Sequence, residues 1–243
     1  MNRKIVARLG GLGICLAAAA ALSGLAATGA WSQEEKVKVL VLTGGAFHDG
    51  HGIGLSVEET LKKAGRFDVT RLEGDLDALV APKLDPYDVV VFHWTVGEIN
   101  EAQKRGLMNF VASGKGVVGF HSTCDSFRGD PDWRALWGAH FVTHPAYQQF
   151  QVSVTEEKSP ITEGLDRFFM TDEQYILDFD ATVTVLGNGL WKGKLMPAMW
   201  TKPWGKGRVY YMSFGHDPKS CEAPTFKDLL VRAAAWAGTP GAE

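Results

Sequence analysis

The sequence predicts an α/β fold: a doubly wound, mainly parallel sheet flanked by helices in a three-layer sandwich. Three observations predict it. Short β-branched apolar runs alternate with stretches whose apolar residues recur at helical spacing, several of those runs are apolar almost throughout, and glycine-containing loops follow them. A strand covered by helices on both faces has no polar side to show, which is why its sequence reads as continuous rather than alternating.

Val37 to Leu42 (VKVLVL) is the first strand and ends at Thr43-Gly44-Gly45. Ile53, Val57, Leu61 and Ala64 then fall on one face of a helix running from Ile53 to Ala64. Phe67 to Leu72 is a second strand, and Tyr87 to Trp94 (YDVVVFHW) a third. Glu101 to Ala112 is a helix with Leu107, Phe110 and Val111 inward, closed by Gly114, and Gly116 to Phe120 (GVVGF) is the fourth strand. The second half is less regular: Gln151 to Val154, Thr182 to Leu186, Met196 to Trp200 and Arg208 to Phe214 read as strands, and Pro224 to Ala237 as a final helix. No internal repeat, linker or composition break marks a second domain.

Length and charge limit the function. The chain has 243 residues, 45% hydrophobic and 22% charged, the balance of a folded globular protein. Residues 1–30 divide into a basic start (Arg3, Lys4, Arg8), an uncharged run rich in Leu and Ala, and small residues before Trp31, the pattern of a cleavable secretory signal peptide. Five glycines in that run make it a poor spanning helix, and Ile14 before Cys15 is unsuited to lipid attachment. Cleavage after Ala30 leaves one domain, residues 31–243, with a formal net charge of about −6 and exported to the periplasm. That charge disfavours nucleic acid or an anionic membrane surface as partner. Two cysteines remain, Cys124 and Cys221, and an oxidising compartment permits one disulfide between them.

In an open α/β sheet, ligands bind beyond the carboxyl ends of the strands. Histidines gather there: His48 and His51 after the first strand, His93 at the end of the third, His121 after the fourth, His216 after Arg208 to Phe214. His140 and His144 lie together in a loop region. Imidazoles delivered by several strands with neighbouring carboxylates (Asp49, Asp125, Asp217) are how a divalent metal site or an acid/base cluster is built. A transition metal, zinc among the candidates, is therefore an expected cofactor; G-x-G-x-x-G and the phosphate-loop pattern are both absent, and no nucleotide is expected. Cys124 is the one possible thiol nucleophile near His121, and Ser122 lacks a nucleophile-elbow frame. Thr171-Asp172-Glu173-Gln174-Tyr175 places two carboxylates and a phenol beside an apolar patch, suited to a base, a metal ligand or a solvated turn. Of the tryptophans, Trp200 and Trp236 read as core, whereas Trp94 and Trp204 adjoin candidate loops and are expected to wall a ligand.

Seven segments in order carry a resemblance: VLVLTGGAFHD at Val39 to Asp49, YDVVVFHWTVGEI at Tyr87 to Ile99, FVASGKGVVGFHS at Phe110 to Ser122, HFVTHP at His140 to Pro145, TDEQY at Thr171 to Tyr175, PAMWTKPWGKGRVYYMSFGHD at Pro197 to Asp217, and WAG at Trp236 to Gly238. The chain resembles the ThuA-like family, named for a trehalose-utilisation protein, with a fold similar to class I glutamine amidotransferases and to flavodoxin-like sandwiches. Where amidotransferases carry their nucleophilic cysteine, the turn after GVVGF holds His121, and the position of their late histidine and acid is similar to His216-Asp217. The resemblance implies carbohydrate metabolism, with glucosides or disaccharides oxidised to 3-keto sugars as substrates of a lyase or hydrolase. It implies catalytic roles for His121, Glu173, His216 and Asp217, metal ligation by His48, His121, His144 and His216, and substrate contacts from His48, Asp49, Trp94, His144, Tyr175 and Trp204. The alternatives are a non-catalytic sugar-binding accessory protein of a periplasmic oxidoreductase, and a cysteine hydrolase using Cys124.

Overall fold

A computed structural model describes residues 35–239; the expected signal peptide and its expected cleavage site lie outside the described residues. The main sheet has nine strands in the order β2-β1-β3-β4-β11-β10-β9-β6-β7. The strands are β1 (Val37–Gly45), β2 (Phe67–Glu73), β3 (Val89–Thr95), β4 (Gly116–Phe120), β6 (Gln148–Val154), β7 (Arg167–Asp172), β9 (Thr184–Trp191), β10 (Lys194–Trp204) and β11 (Gly207–Met212). A separate antiparallel pair joins β5 (Ala139–Thr143) to β8 (Ile176–Phe179).

The sheet is mixed. Pairings are parallel from β2 through β11 and antiparallel from β11 through β7, so the expectation of a mainly parallel sheet holds for one half only. The reason is loop length: β9, β10 and β11 follow one another through turns at Lys192-Gly193 and Gly205-Lys206, and a two-residue hairpin joins only antiparallel neighbours.

Alternation along each strand sorts the core into two layers. Val39 and Val41 of β1, Val89 and Val91 of β3, and Tyr210 and Met212 of β11 face one side. There they meet α1 (Gly50–Lys63) through Ile53, Val57 and Leu61, and α5 (Pro224–Gly238) through Leu229, Leu230 and Ala233. Leu40, Leu42, Val90, Phe92, Val209 and Tyr211 face the other side, covered by α2 (Glu101–Ala112) through Leu107, Phe110 and Val111, and by α3 (Pro131–Trp137) through Trp133, Leu136 and Trp137. Start signals are local: Asp49 accepts from Gly52 N at the head of α1, and Asn100 and Gln103 form a reciprocal capping box on α2. No helix of the described residues is long and apolar enough to cross a membrane.

The two cysteines sit in opposite layers, Cys124 on the α2–α3 side and Cys221 on the α1–α5 side. Both are free and buried, with the sheet between them, so the disulfide that an oxidising compartment would permit does not form.

Candidate metal centre

Four chain segments converge at the carboxyl end of the parallel strands. The loop after β1 delivers His48, the turn after β4 His121, the loop after β11 His216, and the residue following β7 is Glu173. Each offers one donor atom, and the four atoms lie within 4.8 Å of one another. His121 Nε2 is 3.1 Å from His48 Nε2 and 3.2 Å from His216 Nδ1, and Glu173 Oε2 is 3.1 Å from His216 Nδ1 and 3.7 Å from His121 Nε2.

These separations fit a first-row divalent ion. With metal–ligand bonds of about 2.0–2.2 Å, neighbouring donors in a tetrahedral shell stand about 3.3–3.6 Å apart. Proton bookkeeping points the same way. His121 Nδ1 lies 3.2 Å from the Ser213 carbonyl, which only accepts, so Nδ1 carries the proton and the Nε2 of the neutral ring is a bare lone pair. That one lone pair faces two other ring nitrogens, an arrangement a shared cation satisfies and two hydrogen bonds do not. Burial, then the neighbouring charges of His48, His93 and His216, holds His121 well below the usual 6.5; burial and then His216 bring His48 down to about 4. Both rings are therefore neutral near pH 7, as metal ligation requires.

The surroundings fix the donors. His48 Nδ1 is 2.7 Å from Thr95 Oγ1, and Tyr211 donates to the His121 carbonyl at 2.7 Å. The buried carboxylate of Asp172 ties two donor segments together. Its Oδ2 accepts from Gly215 N at 2.7 Å and His216 N at 3.3 Å, its Oδ1 accepts from Glu173 N at 2.7 Å, and Oδ1 stands 3.8 Å behind His121 Nδ1. Burial pushes the Asp172 carboxyl up to about 6. His121 itself has φ +44°, and Phe47 (φ +70°) and Val96 (φ +50°) beside the centre are also left-handed, a concentration of backbone strain typical of functional sites.

Residues 38–237 match the sequence pattern of the ThuA family, described as trehalose utilisation. The chain belongs to the ThuA family. Among solved structures, it is similar to a ThuA-like protein of Parabacteroides merdae (TM-score 0.76, 20% identity, 84% of this chain and 90% of that one). It is also similar to a ThuA-like protein of Bacteroides uniformis (TM-score 0.66, 20% identity, 85% and 93%). A β-galactosidase of Bacillus circulans sp. alkalophilus shares the fold over 31% of its own length and 83% of this chain (TM-score 0.60, 14% identity). Among curated proteins, none matches the chain in sequence. At these identities the structural likenesses speak for the α/β fold alone.

The ThuA-family chain places its other candidate residues unevenly around the centre. His144 stands outside the four-donor set, its Nδ1 donating to the Pro145 carbonyl at 2.8 Å and lying 3.6 Å from Glu173 Oε1; Glu173 takes the place expected of it. Tyr175 packs its ring on His121, centroids 4.0 Å apart, and is only 2% exposed, so it backs a ligand instead of lining an open surface. Asp49 and Asp217 are helix caps, the latter accepting from Ser220 N at 2.7 Å at the head of α4 (Pro218–Cys221), because each acid directly precedes a helix with free amide groups. Trp94 is buried against Phe92 and Phe127 and does not wall a site. Trp204 pairs with Gly207 at the start of β11, the opposite end of the sheet from the centre. Cys124 is buried in the α2–α3 layer and burial raises its thiol far above the usual range, so no thiolate nucleophile is available there. His93 is fully buried, its Nε2 3.1 Å from Ser122 Oγ and outside the donor set, while His51 pairs with Glu73 and His140 with Arg134. Tyr147, absent from the sequence expectations, stands 5.7 Å from His216 by ring centroids.

Proposed function

We propose that the protein is an exported, divalent-metal-dependent enzyme of carbohydrate utilisation that cleaves glucosides or disaccharides already oxidised at C3. The observation that carries this reading is the convergence of three imidazole nitrogens and the Glu173 carboxylate at ligand spacing. His48, His121, His216 and Glu173 would hold a divalent ion, which would supply Lewis acidity toward a substrate carbonyl oxygen. A carbonyl at C3 acidifies the C2 proton, so a base that removes it allows the glycosidic oxygen at C1 to leave, and addition of water completes net hydrolysis. His144 is the residue we assign to that proton. Its Nδ1–H is committed to the Pro145 carbonyl, which leaves Nε2 with the lone pair in the neutral ring, at a partly exposed position beside the centre. Asp217 is not assigned the role, since Oδ1 is engaged with Ser220 N.

Elemental analysis of protein purified without chelator or a histidine tag, followed by assay on a 3-keto-glucoside, tests the reading. The expected result is about one equivalent of a transition metal and turnover, both lost in a folded His121→Ala, His216→Ala variant. Equal turnover by that variant overturns it. Saturable sugar binding without product, with metals supplied, assigns the accessory role instead.

A further inference from the structure

Two exposed aromatic residues border the centre without a place in the core, Phe47 next to a donor residue in sequence and Tyr147 beside one in space. Phe47 directly precedes the ligand His48 and is 85% exposed with φ +70°. A left-handed conformation suits glycine, and a bulky side chain there is a costly choice that contributes no packing to this fold. Tyr147, on the β5–β6 connection that also carries His144, is 37% exposed and packs against the ligand His216. The two ligands they adjoin have ring centroids 4.8 Å apart, so the aromatics flank neighbouring donors of one centre. Tyr147 Oη is 3.5 Å from Asp217 Oδ1, too long to occupy the hydroxyl fully, and Asp217 Oδ1 already receives the Ser220 amide at 2.7 Å. That long bond is the one its O–H gives up when a substrate oxygen is offered instead. The remaining exposed large apolar residues of the described chain include Phe169, Leu190 and Leu195, which lie on β7, β9 and β10, none of them adjoining a donor residue.

We propose that Phe47 and Tyr147 form the sugar platform of the metal centre, Phe47 stacking on the C–H face of a pyranoside ring and Tyr147 Oη donating a hydrogen bond to one of its oxygens. The proposal rests on the reading of the ligand as a carbohydrate. Aromatic faces suit the C–H bonds of a sugar and a phenol suits its oxygens, whereas an ion-binding site alone needs neither. It replaces the expected Trp94 and Trp204 walls, which the fold removes from reach.

The test uses Phe47→Ala, Phe47→Trp, Tyr147→Phe and the unchanged protein, all loaded with metal, with a 3-keto-glucoside as probe in both calorimetric binding and turnover. Metal content stays at the wild-type equivalent in every variant. Phe47→Ala raises Kd and KM about tenfold with kcat falling less than twofold, and Phe47→Trp restores both. Tyr147→Phe keeps the ring and loses the donor, raising Kd about fivefold. Unchanged Kd in Phe47→Ala and Tyr147→Phe overturns the platform while leaving the metal enzyme standing. Wild-type binding without turnover, weakened in the variants, overturns the enzymatic reading and supports the platform. A wild type that neither binds nor converts the probe overturns both.

Discussion

Acidifying the metal-free protein is predicted to destabilise it along a slope set by its buried histidines. Well above pH 6.5, His48, His93 and His121 are neutral in folded and unfolded chain alike. Below it the unfolded chain takes up protons that the fold refuses, because burial, reinforced by neighbouring imidazoles, holds His48 at about 4 and the other two well below 6.5. Asp172 acts in the opposite sense: burial raises its carboxyl from 3.8 to about 6, so between those values the folded chain keeps a proton the unfolded chain has lost. At pH 5 His48 takes up about 0.9 proton on unfolding, which the about 0.9 that Asp172 gives up cancels, so the net uptake comes from His93 and His121. Two rings that stay neutral in the fold give an upper bound of about 2 protons, a loss of at most about 2.7 kcal/mol per pH unit. The histidines' contribution is complete above 6.5 and declines as pH falls toward 4; that of Asp172 is complete below 3.8 and is lost as pH rises through about 6. Urea unfolding in chelator between pH 5 and 7 measures the slope. His93→Leu removes one of the three groups without touching a donor of the cluster and lowers the slope, by at most about 1.4 kcal/mol per unit. A wild-type slope below about 0.7 kcal/mol per unit at pH 5, or an unaltered slope in His93→Leu, refutes the reasoning.

Other outcomes follow from the same geometry. Trp94→Ala costs about 3–5 kcal/mol in denaturant unfolding and leaves sugar affinity intact, because Trp94 packs on Phe92 and Phe127; lost affinity at unchanged stability would return it to the ligand wall. Iodoacetamide labels neither Cys124 nor Cys221 in the native protein and both after unfolding without reductant, whereas a non-reducing map showing a cross-linked peptide contradicts their placement in opposite layers. Gly106→Ala reverses the usual helix preference, since a Cβ there meets the Leu79 carbonyl at 1.9 Å; a lowered unfolding midpoint, about 1–3 kcal/mol, is expected despite alanine's advantage in helices. Glu173→Gln keeps the shape of the centre and removes its one anionic donor, so metal affinity falls tenfold or more by competition with a chromophoric chelator.

The parallel half was legible because burial on both faces leaves an unbroken apolar signature, and β1, β3 and β4 carry it openly. The other half was partly hidden. β7 alternates exposed and buried residues through RFFMTD, but with Phe169 on the exposed face its apolar residues run together and read as a patch. β5, β8, α3 and α4 have 5, 4, 7 and 4 residues, too few for any periodicity to stand out. In the centre, His48, His121 and His216 were legible as residues beyond strand ends, the positions where side chains project above a sheet. Trp94 does carry a burial signal: it shares parity with Val90 and Phe92, so a strand running on to Thr95 sends its indole into the same layer. Phe47 and Tyr147 had no such signal, since loop exposure and left-handed backbone are set by tertiary packing.

The sheet order also governs how the molecule is assembled. β11 is the last strand along the chain, yet it lies between β4 and β10, joining the parallel half to the antiparallel half. A growing polypeptide that has not reached Gly207 has two open strand edges facing an empty slot, and the loop bearing His216 does not yet exist. Closing that slot links segments far apart in sequence, the slow kind of contact in folding. The cluster of His48, His121, His216 and Glu173 is therefore complete only when the last strand and the loop after it are in place, and is not built up strand by strand.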